Sequence, residues 1–127
     1  MKAVVRRLAD QPWDQWPADQ IPVRGTVRWK NLFGGDASTG ADLTLGVALL
    51  RKGDTLAPHR HAQPETYFGL SGRGLVTVEG EVHVLTPGTA IFIPGGAEHQ
   101  IHNDSDEDFQ LLYTFAVPDF GAVEYQF

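Results

Sequence analysis

Cysteine is absent from this 127-residue sequence, which excludes disulfide bonds and thiolate metal ligands. Long apolar runs are absent too, since no stretch approaches the roughly 20 residues that a membrane-spanning helix needs. The basic residues near the first methionine are not followed by the apolar core of a secretory signal, so we expect a cytoplasmic protein with no membrane partner. Basic residues are outnumbered by acidic ones, and the net charge of −6 argues against nucleic acid as a partner.

What the sequence does contain is two blocks of histidine, glycine and polar residues at regular spacing. The first block consists of Gly53, His59, His61, Glu65 and Gly72. The second block consists of Gly88, Pro94, Gly96, His99 and Asn103. Three imidazoles and one carboxylate suit one divalent transition metal per chain, and Fe, Mn, Ni, Co, Cu and Zn all accept such ligands. A six-coordinate ion would keep two positions open for water or a small-molecule substrate, as catalytic metal sites do.

The spacing of the first block is consistent with ligands on one face of an extended chain. Side chains alternate between the two faces of a strand, so His59, His61, Glu65 and Tyr67 would all point the same way. Pro64 interrupts this run and has no backbone N–H to pair. The parity argument is therefore stronger for the two histidines than for the two residues after the proline.

Short apolar strands separated by turns predict a single all-β domain. Residues 23–33 are predicted to form a strand with Val27 and Trp29 on one face and a solvated Lys30 on the other. Residues 34–42 are predicted to be a glycine-rich loop, and Glu79 with Gly80 has the composition of a two-residue hairpin turn.

The first 22 residues are predicted to form an N-terminal arm, and residues 23–127 the barrel. The signal for helix within residues 3–20 is weak, because prolines interrupt the segment. Trp13 and Trp16 are three residues apart there, and we expect them to pack against the barrel or against a partner subunit.

Both blocks together, complete and in this order, resemble the two motifs of the cupin superfamily. The resemblance implies a single-domain cupin β-barrel, a jelly-roll-like double-stranded β-helix. It also implies that His59, His61, Glu65 and His99 bind the metal, and that two chains form a homodimer through the outer sheet and the arm.

Three shorter stretches are similar to the cupin lyases that cleave dimethylsulfoniopropionate into acrylate and dimethyl sulfide. These stretches are residues 27–30, residues 65–67 and residues 123–125. The resemblance implies that the metal holds the substrate carboxylate, that Tyr67 removes the α-proton, and that Tyr125 is a second tyrosine of the pocket. The face of Trp29 would suit the sulfonium through cation–π attraction.

Other interpretations of these residues remain open at this stage. The ligand set equally suits a mononuclear non-haem dioxygenase, an isomerase or epimerase, or a non-catalytic cupin that only binds a metal or ligand. The alternative interpretation of Tyr67 is an aromatic residue that packs in the core and has no catalytic role. Phe92 is expected in the core, and His102 is expected to face away from the metal because its parity is opposite to that of His99.

Overall fold

The fold consists of two antiparallel sheets that pack against each other. The structure is a computed structural model and describes residues 2–34, 43–117 and 120–127. In sheet order, the six-stranded sheet contains β1 (Asp14–Gln15), β2 (Arg28–Phe33), β3 (Thr44–Leu50), β10 (Phe109–Phe115), β5 (Glu65–Ser71) and β8 (Ala90–Ile93). The four-stranded sheet contains β4 (Thr55–His59), β9 (His99–His102), β6 (Gly74–Val78) and β7 (Glu81–Leu85). The all-β prediction is confirmed.

Helical structure in these ranges is short. It comprises helix α1 (Ile21–Arg24) and two 3₁₀ turns, Leu8–Asp10 and Phe120–Ala122. None of the helices in the described ranges is long and apolar enough to cross a membrane. The predicted glycine-rich loop of residues 34–42 lies outside the described residues, apart from Gly34.

Strand β10 illustrates how alternation places the core between the sheets. Its residues Phe109, Leu111, Tyr113 and Phe115 are all buried, while the residues between them are partly exposed. Ile101 on β9 is buried in the same cluster from the opposite sheet. One face of each sheet is therefore apolar and packed inward, as the period of two requires.

The hairpin between β6 and β7 has the predicted two-residue turn. Glu79 and Gly80 both have positive φ angles, 48° and 79°, and the flanking pair is Val78 with Glu81. Two consecutive residues with positive φ are characteristic of the type I′ turn, whose twist matches that of the strands.

The segment before β2 differs from the sequence-based prediction. Residues 21–24 form helix α1, so Val23 is helical and the strand begins only at Arg28. Pro22 lies in the first turn of this helix, where proline is favoured. Gly25 ends it with a φ of 107°, and a Cβ at this position would clash with the carbonyl of Thr55.

Residues of the N-terminal segment cover the outer face of β2. Lys30 is buried, because its Nζ donates a hydrogen bond to Leu8 O at 3.1 Å and lies 4.5 Å from the ring centre of Trp13. Arg6 Nη1 donates to Leu32 O at 2.7 Å. The expectation that Lys30 lies on a solvated strand face is therefore wrong.

The outer face of β5 and β8 is exposed and partly apolar. Phe92 is 65% exposed, and Phe68 and Leu70 on the neighbouring strand are 40% and 41% exposed. The expectation that Phe92 lies in the core is wrong, because Ile93 takes the inward position and alternation turns Phe92 outward.

Candidate metal centre

The first sequence block crosses from one sheet to the other, and this crossing builds the site. His59 is the last residue of β4 and is paired with His99, the first residue of β9, in the four-stranded sheet. Glu65 and Tyr67 lie on β5 in the six-stranded sheet, and His61 lies in the connection between them. All five side chains are buried, so the interruption at Pro64 does not turn any of them outward.

Three imidazoles converge closely enough to share one ion. The ligand atoms of His59, His61 and His99 all lie within 4.8 Å of one another. The rings of His59 and His99 are nearest, with centroids 4.1 Å apart. These three buried histidines can hold a metal ion.

Backbone carbonyls orient each of these rings. Nδ1 of His59, His61 and His99 lies 2.8, 2.8 and 2.9 Å from the carbonyl oxygens of Ala57, Gln63 and Ala97, respectively. A carbonyl only accepts, so Nδ1 carries the proton whenever a ring is neutral. The neutral tautomer leaves the Nε2 lone pair able to bind a metal, an arrangement found repeatedly around metal-ligating histidines.

Glu65 supplies the one carboxylate of the site. Its Oε1 lies 3.2 Å from His61 Nε2 and 3.1 Å from His99 Nε2. Burial alone would raise the pKa of Glu65, but hydrogen bonds from the two imidazoles outweigh it and hold the pKa below its usual range. The carboxylate thus faces the Nε2 atoms of two of the three histidines. The geometry and the nitrogen–oxygen donor set fit a divalent transition metal.

The folded chain disfavours protonation of His59. Burial, together with the nearby charge of His99, lowers the pKa of His59 to about 3. A neutral imidazole is the form that binds a metal, so protons do not compete for His59 at ordinary pH.

Tyr67 lies next to this cluster with its side chain fully enclosed. It is 2% exposed, and its ring centroid is 6.2 Å from that of His99. Burial and the negative charge of Glu65, to which Tyr67 is also hydrogen-bonded, raise the pKa of Tyr67 well above its usual value. The residues of the chain by themselves therefore keep this phenol protonated.

A cavity beside His59 is lined by a group of aromatic rings. Its walls include His59, Glu65, Trp16, Trp29, Phe115 and all three tyrosines of the chain, Tyr67, Tyr113 and Tyr125. Of the sequence-proposed site residues, five lie on the cavity wall: Trp29, His59, Glu65, Tyr67 and Tyr125. His61 and His99 lie beside His59 rather than on the wall.

Two cavity residues were missed by the sequence analysis. Tyr113 has the parity of the buried face of β10, so its inward position was detectable, and its hydroxyl donates to Asn31 Oδ1. Trp16 had no comparable signal. Its place in the cavity depends on how the segment before α1 folds back onto the barrel.

The C-terminal tail packs beside the histidines. Arg60 and Gln126 exchange two backbone hydrogen bonds of 2.9 Å, which fix the tail against the first block. The Phe127 ring then stacks on the His59 ring at 5.0 Å, and the Tyr125 ring lies 5.6 Å from it. The tail therefore shields one side of the cluster from solvent.

The remaining block residues shape the backbone around the site. Gly96, with a φ of 79°, donates its N–H to His61 O at 2.8 Å and so connects the turn before His99 to the first block. Asn103 is fully buried and its Nδ2 donates to Leu50 O and Glu107 O. These hydrogen bonds stabilise the backbone near the three histidines, and neither Gly96 nor Asn103 belongs to the histidine cluster.

Known proteins resemble this chain in sequence and in fold. Residues 46–115 match the cupin domain family. The chain is 42% identical over 106 residues to dimethylsulfoniopropionate lyase DddW of Ruegeria pomeroyi, a match that covers 84% of this chain and 69% of that protein. It is 30% identical over 104 residues to β-D-galactosidase Rv1717 of Mycobacterium tuberculosis, covering 82% and 90% of the two chains. The structure of Rru_A2000 from Rhodospirillum rubrum, a cupin-2 domain, superimposes with a TM-score of 0.77 at 22% identity, covering 99% of this chain and 80% of that one. The two relatives carry different activities, so the fold by itself does not specify a reaction.

Proposed function

We propose that this chain, which belongs to the cupin domain family, is a metal-dependent lyase that cleaves dimethylsulfoniopropionate or a similar small carboxylate. The observation that carries the proposal is the 42% identity to a lyase of this kind across 84% of the chain. The buried histidine cluster, with a buried tyrosine beside it, supplies groups suited to the reaction.

The proposed metal ligands are His59, His61, His99 and Glu65. Nε2 of each ring is available because Nδ1 is committed to a carbonyl, and Glu65 already faces two of these nitrogens. The ion is one divalent transition metal per chain, drawn from Fe, Mn, Ni, Co, Cu and Zn. Four protein ligands leave room in a six-coordinate shell for a substrate carboxylate.

Tyr67 is the proposed base. A bound dication would polarise the substrate carboxylate, which acidifies the α-carbon, and its positive charge would offset the burial and the Glu65 charge that raise the pKa of Tyr67. Tyr67 would act as the phenolate that remains after its hydroxyl proton has passed to solvent. The phenolate oxygen would take the α-proton and become a phenol again, the C–H electron pair would form the carbon–carbon double bond, and the C–S bond would break. The products are acrylate, dimethyl sulfide and a proton, so atoms and charge balance.

Aromatic faces suit the leaving group of this reaction. A sulfonium is a soft cation, and Trp29 and Tyr125 both line the cavity that also contains His59. Cation–π attraction of this kind contributes about 0.5–2 kcal/mol, more when water is excluded. We propose Trp29 and Tyr125 as the substrate-binding residues.

We also propose that the protein is a homodimer. Phe68, Leu70 and Phe92 form an exposed apolar area on the outer face of the six-stranded sheet. Trp13, at the edge of this sheet in the proposed arm of residues 1–22, is 37% exposed. A second copy covering this face would remove both from water and leave the barrel of residues 23–127 unchanged.

The proposal is tested by turnover of Tyr67→Phe in metal-loaded protein. Loss of the base should lower the release of dimethyl sulfide by roughly 10²–10⁴-fold while metal content stays the same. Thr66→Ala is the matched control, since it removes a hydroxyl from the adjacent, outward-facing position of β5. Unchanged turnover in Tyr67→Phe would exclude the phenol as base.

A different result would favour the alternative reaction. If the Fe(II) form consumes oxygen with diketones, catechols or thiol acids and releases no dimethyl sulfide from the sulfonium substrate, the protein is a dioxygenase. Binding of metal without any turnover of either kind would identify a non-catalytic cupin.

A further inference from the structure

The indole nitrogen of Trp16 is a buried donor with no acceptor. Trp16 Nε1 is inaccessible to solvent, and no atom in residues 2–34, 43–117 and 120–127 accepts a hydrogen bond from it. The ring lines the cavity that also contains His59, Glu65 and Tyr67. Buried N–H groups in folded proteins are nearly always paired, and exceptions cluster where a ligand supplies the missing partner.

The position of Trp16 is defined by other aromatic rings. Its ring centroid lies 4.9 Å from Trp29, 5.4 Å from Tyr125 and 5.7 Å from Phe127. The Arg24 guanidinium covers the ring, with its Cζ 4.7 Å from the centroid. Contacts with the barrel, the tail and α1 therefore fix the direction of the N–H, so the donor is oriented before any ligand arrives.

The chemistry of the donor limits what it can recognise. An indole N–H donates and never accepts, so its partner must be an acceptor atom. A sulfonium offers no such atom, whereas a carboxylate offers two oxygens. Arg24 places a positive charge over the same ring, which favours an anion in the cavity.

We infer that Trp16 is a substrate-positioning residue that donates its indole hydrogen bond to a carboxylate oxygen of the ligand. The inference deepens the proposed function and rests on it for the class of ligand, a small carboxylate. Trp16 fixes the orientation of the carboxylate end, while Trp29 and Tyr125 contact the cationic end. It takes no proton and forms no bond with the substrate.

The direct test follows the indole proton itself. The zinc-loaded chain, labelled uniformly with ¹⁵N, should give three indole signals for its three tryptophans alongside its backbone signals. Trp13→Phe and Trp16→Phe assign them. Propionate, a carboxylate that has no leaving group, should move the Trp16 indole proton downfield, as a new hydrogen bond to a charged oxygen does. The Trp13 signal should stay in place, because Trp13 contacts Lys30 away from the cavity.

Two results of this titration would overturn the inference, and they differ in what they say about the proposed function. In the first, propionate shifts the backbone signals around His59 and leaves the Trp16 indole signal in place. That result would mean that a carboxylate binds near His59 without a hydrogen bond from Trp16. If propionate shifts nothing at any concentration up to tens of millimolar, both the inference and the proposed carboxylate site are wrong.

A kinetic experiment separates positioning from structure. Trp16→Phe keeps an aromatic ring at this position and removes the N–H donor, and we expect the protein to fold and bind metal as the wild type does. Loss of one hydrogen bond to a charged group should weaken propionate binding and raise KM for dimethylsulfoniopropionate by roughly tenfold, with kcat changed much less. Trp13→Phe is the matched control and should change neither constant. Wild-type propionate affinity in Trp16→Phe would contradict the inference.

Discussion

Acid should destabilise the metal-free protein through one residue, His59. The folded chain holds the pKa of His59 at about 3, whereas the unfolded chain returns it to about 6.5. As pH falls below 6.5, the His59 imidazole binds a proton in the unfolded state but not in the folded state. The free energy of unfolding therefore falls with decreasing pH until both states are protonated below pH 3.

The size of the effect follows from the two pKa values. At pH 7 the unfolded imidazole is mostly neutral, and the contribution of His59 to the free energy of unfolding is only about −0.2 kcal/mol. At pH 5 the same term reaches about −2 kcal/mol. Glu65 contributes little to the change in the free energy of unfolding between pH 7 and pH 5. The pKa of its carboxyl lies below its ordinary value in the folded chain and at that value in the unfolded chain.

The assay is urea unfolding of chelator-treated protein at pH 7 and at pH 5. His59→Gln removes the titrating group and keeps a polar side chain of similar reach. His102→Gln is the matched control, since His102 is exposed on the same strand pair. From pH 7 to pH 5, the free energy of unfolding of the wild type and of His102→Gln should each fall by about 2 kcal/mol more than that of His59→Gln. This difference corresponds to a shift of roughly 1 M in the urea midpoint.

The reasoning is refuted if all three proteins lose the same stability between pH 7 and pH 5. That result would mean that His59 is protonated as easily in the folded protein as in the unfolded chain. The buried position of His59, at 2% exposure, would then have no electrostatic consequence.

Three further predictions concern metal binding, the tail and assembly. His99→Ala should remove most of the bound metal and leave a folded barrel, while His102→Ala retains it, as measured by metal analysis after dialysis; equal metal in both variants would contradict the ligand set. Phe127→Ala removes the ring stacked on His59 at 5.0 Å, so a chelator should extract the metal several-fold faster than from the wild type; an unchanged rate would show that the tail does not shield the site. Phe92→Asp should convert a dimer into a monomer by light scattering, and a wild type that is already monomeric at micromolar concentration would exclude the proposed interface.

The sequence predicted the parts of this protein that depend on local spacing. His59, His61 and His99 could be grouped because the two complete blocks resemble the motifs of one family, whereas alternation along an extended chain related only His59 and His61. The turn at Glu79 and Gly80 was predictable because few residues tolerate two consecutive positive φ angles.

Features that depend on long-range packing were not predictable in the same way. Alternation separates the two faces of a strand but does not say which face another segment covers. Lys30 is therefore buried under Leu8 and Trp13, and Phe92 is exposed, against expectation. Trp16 reaches the cavity through contacts with residues far away in sequence, such as Tyr125, and no pattern around Trp16 encodes them.

The most direct test of the central claim is dimethyl sulfide release by protein of known metal content. Chelator-treated protein should be reconstituted separately with Fe(II), Mn(II), Ni(II), Co(II), Cu(II) and Zn(II), given dimethylsulfoniopropionate, and assayed by headspace gas analysis. We predict many turnovers per chain with at least one metal, and none in metal-free protein or in His59→Ala. No release from any form shown to hold about one metal per chain would contradict the account.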